Sequence, residues 1–509
     1  MALGLAALPL WLTRTLPLVD LPQHLHLISV LHRLHDPTTL YPQVFAARGE
    51  LTPYLGYYAL VDALNWLLPL DVANKVFLTG YIVGLPLALG FLLRSLGRPR
   101  WVSLVAIPFA YGDSFSWGFI NYCASVPLAL LAAGLFVRAL VDAPHRRRWA
   151  GANGAVLAAV LLFHVQAFAF LAFALPFLLL TTRVPEDAAR TKFVDRVRAR
   201  GWALASVIPG VVLFLVWVVA RLGAPAEVEA GAPWHAWGPM LSPENLAFKP
   251  FSKNGSELLG VLANALRDGS DRWPVYAAFG LGVAGWMGLV GGRAPSREGV
   301  VERWRLVGLG AIALVLFFTL PFDIRGYIYY LNTRFAHLAV PLLLAAVAPV
   351  AAPRRAFLMW GGLGLGALVA GVYGKAYRAF DEEAAPLERM AQAAGARPRV
   401  MALMFNPSSR VVTHPVFLHA GAVLAREGGG FTNFSFASTP HSPIQWAHAA
   451  PVTFPSEWQP DGFRYDSMGP AYDTFLLRGK SPEAVFRDVL GTELRVTAQA
   501  ADFFLLQRP

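Results

Sequence analysis

Asp20 and His24 stand four residues apart in LPLVDLPQHLHL, residues 16–27, directly after the first apolar segment. On a helix that spacing puts both side chains on one face, a turn apart. A carboxylate there can act as a general base, taking the proton of an attacking hydroxyl or amine. It can equally cap the helix beginning at Pro22, because Asp ahead of Leu-Pro is a good N-cap arrangement. Both readings of Asp20 are open at this level. The pair also offers two ligands to a divalent cation, with further ligands from elsewhere. His24, His32 and His35 share a helical face, but side chains eight positions apart are about 12 Å apart along the axis, too spread for one ion. The plain alternative for these rings, with His26, is an interfacial helix facing headgroups.

A second group has the chemistry of anion and polar-ligand binding. His164 and Gln166 interrupt the apolar stretch LLFHVQAF, and strongly polar residues at such depth usually face a bundle interior or cavity. Arg325, Asn332 and Arg334 fall in FDIRGYIYYLNTRFAHL, where a guanidinium can grip a phosphate through paired N–H groups. For Arg325, close to Asp323, headgroup anchoring is the simpler role; Arg334, at the start of an apolar segment, is the better phosphate ligand. Trp234, His235 and Trp237 (APWHAWGP) offer a stacking platform or an aromatic belt. Asp113, Trp117 and Asn121 in GDSFSWGFINY can line the same cavity. P-loop, nucleophile-elbow and zinc-protease signatures are absent.

The elements that must position these groups are apolar. Of 509 residues, 56% are hydrophobic and 15% charged, which places the chain in the membrane class. Net charge +11 is spread in short clusters between apolar runs, so membrane topology explains it and nucleic-acid binding is excluded. The single Cys123 forms no internal disulfide. Leu3–Trp11 resembles a signal-peptide core but lacks a basic start and a cleavage site, so it is expected to be a retained first transmembrane helix. It is short for a span, so it is expected to extend to about Val19 or to start upstream. Residues 52–70 read as an interfacial helix inside a first outer loop, 14–71. Further spans are expected at 72–93, 101–112, 121–141, 150–163, 166–182, 202–221, 274–292, 306–320, 335–351 and 357–374, giving about eleven. Alternate loops carry about 19 basic residues against about six carboxylates, which orients the N-terminus to the cytoplasm.

From Lys375 the composition changes. Strands are expected at 399–405, 472–478 and as a pair within 494–506, with helices at 415–426 and 482–490; Gly428–Gly430 reads as a helix stop. The expected fold is thus an all-α polytopic membrane bundle, residues 1–374, with an extracytoplasmic α/β domain, 375–509.

A short first helix, an outer loop opening with Asp20, interfacial helices, ten or so spans and a C-terminal outer domain resemble the C-type glycosyltransferase superfamily, GT-C. That group includes protein mannosyltransferases and lipid A aminoarabinose transferases. The stretch Ala73–Leu96 followed by GRPRW is similar to their second span and its basic inner loop. A lone Asp20 followed by LPQH departs from the adjacent acidic pair common among them. The resemblance implies a bacterial inner-membrane enzyme that moves a sugar from a polyprenyl-phosphate donor to an extracytoplasmic glycan, lipid or protein. Asp20 would be the base, Arg334 the phosphate ligand, and His24 and His164 polar cavity residues. A divalent cation is the only cofactor it leaves open. The competing expectation is a non-enzymatic transporter or envelope assembly factor with a partner-binding outer domain, although no duplicated halves are seen. A degenerate transferase that has kept the fold is a third reading.

Overall fold

The computed structural model describes residues 1–183, 193–222, 242–286, 297–325, 328–347, 355–439, 441–448 and 457–509. Among the described residues three helices are long and apolar enough to cross a membrane: Leu70–Ser95, Ile120–Val141 and Gly201–Ala220. Shorter apolar helical segments run over Ala2–Trp11, Val165–Thr181, Trp304–Thr319 and Thr333–Val347. Leu70–Ser95 and Ile120–Val141 keep Pro86 and Pro127 in their interiors; membrane helices tolerate such residues because neighbouring groups satisfy the freed carbonyls. The Gly201–Ala220 segment leaves Ile208, Val212, Leu215 and Val219 exposed, an apolar stripe at helical spacing. Such a face is stable only against an apolar surrounding, and the chain is a membrane protein.

Two expected spans take another form. Residues 100–111 form a twelve-residue 3-10 helix in place of an α-helical span, bounded by Pro99 and carrying Pro108 inside. The first helix covers Ala2–Ala7, tightens to a 3-10 turn at Leu8–Trp11 and does not continue to Val19. The reason lies at Asp381, whose carboxylate accepts from the backbone N–H groups of Arg14 and Thr15 and from the Thr13 hydroxyl at 2.8–2.9 Å. Residues 55–65 do form the helix expected in the first loop.

The helix Arg355–Ala393 is 39 residues long and carries the chain through position 374 into the C-terminal region without a break. There a five-stranded sheet has the order β5-β4-β7-β9-β8, with β4 Arg399–Met404, β5 Phe431–Thr432, β7 Thr474–Arg478, β8 Arg495–Ala500 and β9 Phe503–Gln507. β4 is parallel to both neighbours, while β7, β9 and β8 are antiparallel. Every residue of β7 is buried, as expected of a central strand covered on both faces. The helix Ala420–Gly428 connects β4 to β5 and ends at Gly429 with φ +71, a left-handed cap.

The strand signal missed a small sheet that joins the two regions. β1 (Phe45–Ala47), in the first loop, pairs antiparallel with β6 (Ile444–Trp446), and Phe45 stacks on Trp446 with centroids 4.9 Å apart. β2 (Leu246–Ala247) and β3 (Asp323–Ile324) form a second two-stranded pair.

Candidate functional site

Asp20 precedes the helix Leu21–His32, but its side chain makes no capping hydrogen bond. The carboxylate turns instead toward the C-terminal region, where Oδ1 lies 3.4 Å from Nε2 of His419. The other ring nitrogen of His419, Nδ1, is 2.9 Å from Oε2 of Glu457. His419 is buried and stacks on Phe434 with an interplanar angle of 17°. Burial alone would lower its pKa, but the Glu457 charge and the bonds to Asp20 and Glu457 outweigh that and raise it to about 10. An imidazolium therefore sits between two carboxylates. The Asp20 side chain keeps 17% of its surface open.

Backbone contacts fix where Asp20 stands. Its N–H donates to the carbonyl of Trp117 at 3.0 Å, and that of Val19 to Ser116 at 3.1 Å. Gly118 makes this approach possible. It has φ +85, and a Cβ there would lie 2.8 Å from the Asp20 nitrogen, so no other residue fits without movement. His24 sits one turn on, buried, with Nδ1 2.7 Å from the Tyr58 hydroxyl. Desolvation lowers its pKa to about 4 against the opposing Asp20 charge, so the ring is neutral. Among the described residues no group of three His, Cys, Asp or Glu side chains is placed to hold a metal ion. His26 meets the Gly430 carbonyl at 3.1 Å, His32 pairs with Asp62 at 2.8 Å and His35 is exposed.

The second cluster gathers around Arg334. His164 caps the helix Val165–Thr181, its Nδ1 accepting from the Gln166 N–H at 3.1 Å. The other ring nitrogen, Nε2, lies 3.0 Å from the Tyr54 hydroxyl. Arg334 Nη1 lies 3.0 Å from that same nitrogen and 3.5 Å from Gln166 Oε1. Its guanidinium also donates to the Tyr329 carbonyl at 3.2 Å and rests 4.2 Å above the Phe119 ring. The side chain is buried, its Nε has no hydrogen-bond partner, and among the described residues no carboxylate pairs with it.

The two clusters share two elements. The helix Leu55–Asn65 begins beside Tyr54, which meets His164, and carries Tyr58, which meets His24. The segment Trp117–Phe119 receives Asp20 at its first residue and Arg334 at its last. Trp117 is half-buried, against Tyr330 at 4.8 Å and edge-on to His414 at 5.3 Å. His414 in turn bonds Asp113 at 2.8 Å.

Of the other expected residues, Asn121 and Asn332 are buried. Asn121 is buried and accepts from the Tyr57 N–H at 3.4 Å. Asn332 is fully buried and donates to the Phe317 carbonyl at 2.7 Å, near the end of the helix Arg297–Thr319. Arg325 is exposed on the turn after β3. Trp234, His235 and Trp237 lie outside the described residues. His414, His419 and Glu457 were not found in the sequence. Nothing in THPVFLHAG or SEW ties them to a loop some four hundred residues earlier, and only the folded chain does.

No family model matches this sequence, and no curated protein matches it. Among solved structures, the chain is similar to the arabinofuranosyltransferase AftD from Mycobacteria, with TM-score 0.53 and 14% identity over 100% of this chain. The chain spans 39% of the length of that protein. ArnT from Cupriavidus metallidurans in the apo state also matches, with TM-score 0.46 and 12% identity over 99% of this chain and 96% of that one. The likeness to AftD shows the fold alone.

Proposed function

With a GT-C-like fold as the starting point, we propose that this chain is a membrane glycosyltransferase using a lipid-phosphate sugar donor, with Asp20 as general base and Arg334 as the phosphate ligand. One observation carries the reading: the three-residue segment Trp117–Phe119 accepts the N–H of Asp20, whose carboxylate is spared from capping, at one end, and at the other lies under the buried Arg334 guanidinium, which among the described residues has no carboxylate partner. A base and an anion-binding group borne on one short segment are what the displacement requires. The acceptor hydroxyl or amine attacks the anomeric carbon, its new bond forms as the carbon–oxygen bond to phosphate breaks, and its proton passes to the Asp20 carboxylate. The phosphate leaves with the extra negative charge, which Arg334 meets through charge-assisted hydrogen bonds.

His419 and Glu457 act behind Asp20 in this reading. The imidazolium fixes the inner edge of the carboxylate and leaves the outer edge for the acceptor, while Trp117 supplies a ring face for a sugar. A single displacement inverts the anomeric centre. The sugar and the acceptor are of the polyprenyl-phosphate and cell-envelope classes implied by the resemblance, and the C-terminal domain faces the side on which the acceptor lies. The test is transfer from a panel of polyprenyl-phosphate sugars by purified protein. Wild type is expected to transfer at least one and Asp20→Asn none; equal turnover by the two would remove Asp20 from the chemistry.

A further inference from the structure

The C-terminal sheet opens a crevice that the proposed transfer does not use. From β4 the chain turns to one side, through the helix Ala420–Gly428 to β5; from β7 it turns to the other, toward β9 and β8. Adjacent parallel strands whose connections diverge leave a gap beyond their carboxyl ends, the usual seat of a ligand in such sheets. A groove of about 610 Å³ lies there. Its walls are Asn406, Ser408 and Arg410 after β4, Arg478 at the end of β7, and Arg267 from the loop before the helix Arg272–Trp286. Its volume falls within the ~300–1,000 Å³ of small-ligand pockets.

The charges in the groove point to the ligand. Arg478 is buried between the rings of Phe417 and Phe503, at 3.9 and 4.9 Å, and is neutralised by Asp502 at 3.0 Å and Glu383 at 3.7 Å. Its Nη1 donates to the Ser408 carbonyl at 2.9 Å, which fixes the loop after β4. Glu383 also accepts from the backbone N–H of Arg410 at 2.9 Å and lies 3.8 Å from that residue's Nε, so Arg410 is pinned from behind while its side chain remains 87% exposed. Arg267 is anchored through Nε to backbone carbonyls, that of Val412 at 3.1 Å, and among the described residues no carboxylate pairs with it. Three guanidinium groups thus meet two carboxylates, and the two arginines at the opening are held in place from behind.

We propose that this groove binds a small polar ligand through an oxyanion, phosphate or carboxylate, gripped by the open guanidinium groups of Arg267 and Arg410. Arginine suits this task because its planar fork matches both anions with paired donors. The site stands independently of Asp20, although the segment from Ser408 to His419 runs from the groove to the Asp20 cluster.

The experiment is calorimetric titration of the full chain in detergent micelles with glucose 6-phosphate, glucuronate and glucose. At least one charged sugar is expected to bind, with glucose weaker by about 10-fold or more, and added salt is expected to weaken the charged ligand. Binding of the phosphate alone identifies phosphate as the oxyanion, binding of the uronate alone a carboxylate, and both outcomes support the site. The exposed Arg410→Ala and the Arg267→Ala variant should each lose about 10-fold in affinity with an unchanged melting temperature. Asp20→Asn should bind as wild type does, which separates this site from the transfer centre. Binding of neither charged sugar, glucose binding as well as its charged analogues, an unchanged Arg267→Ala/Arg410→Ala double variant, or loss of binding in Asp20→Asn would each overturn the proposal.

Discussion

A guanidinium buried with no carboxylate beside it, as Arg334 is, carries a desolvation cost of several kcal/mol that the folded chain alone does not recover. In the proposed reading that cost is met by the donor phosphate. Arg334→Met is therefore expected to leave thermal stability unchanged or raise it by about 1–4 kcal/mol, while lowering affinity for a polyprenyl-phosphate sugar by about 10-fold or more, because charge-assisted pairs are the strong ones. Unfolding curves and donor titration in micelles on the same preparation check both halves. His419 gives a second residue-scale expectation. Its pKa is raised to about 10 from a value near 6.5, so its stabilising contribution is fully present below about pH 6.5 and is lost as pH rises toward 10. The melting-temperature gap between wild type and His419→Gln should accordingly be widest at or below pH 6.5 and close by pH 10. A gap independent of pH would show that the imidazolium is not formed there. His164 and Gln166 stand out in the sequence because polar residues inside apolar runs are rare, and Asp20 and Arg334 because they border such runs. His419 was not, because a histidine in a mixed-polarity domain carries no such contrast.

At the scale of elements, the site depends on the turn that carries Trp117, Gly118 and Phe119 between Asp20 and Arg334. Gly118→Ala is expected to cost about 1–3 kcal/mol from strain at positive φ, and, because its Cβ would press on the Asp20 nitrogen, to lower transfer more than donor binding. Comparing the turnover rate with donor affinity in that variant checks it; a parallel fall in both would place the damage elsewhere. Secondary structure followed the sequence where one signal dominated. Apolar length gave Ile120–Val141, and the buried run TFLLR gave β7. It diverged where side chains distant in sequence decide the backbone. Asp381 ends the first helix by taking the N–H groups of Arg14 and Thr15, and prolines at 99 and 108 accompany a 3-10 path through residues expected to form an α-helical span.

For the whole molecule, the account requires the first loop and the C-terminal region to work as one body, since Asp20 comes from the former and His419 and Glu457 from the latter. The pairing of β1 with β6 tests that docking. Ala46 and Gln445 are partners in register, and the chain has a single, buried cysteine, Cys123, so Ala46→Cys/Gln445→Cys should oxidise to an intramolecular disulfide and keep its transfer activity. Faster migration on non-reducing gels reads the bond; failure to form it, or loss of activity on forming it, would mean that the two regions do not stay joined in the working state. That union was beyond the sequence, where a two-domain division near residue 375 was the natural reading and a three-residue edge strand in a polar loop carries almost no pattern. The most direct measurement compares wild type, Asp20→Asn and Arg334→Ala for binding and turnover of a polyprenyl-phosphate sugar panel. Donor binding retained in the aspartate variant, donor binding lost in the arginine variant, and transfer by wild type alone are the predicted result. No binding by any of the three, or transfer undiminished without the Asp20 carboxylate, would contradict it.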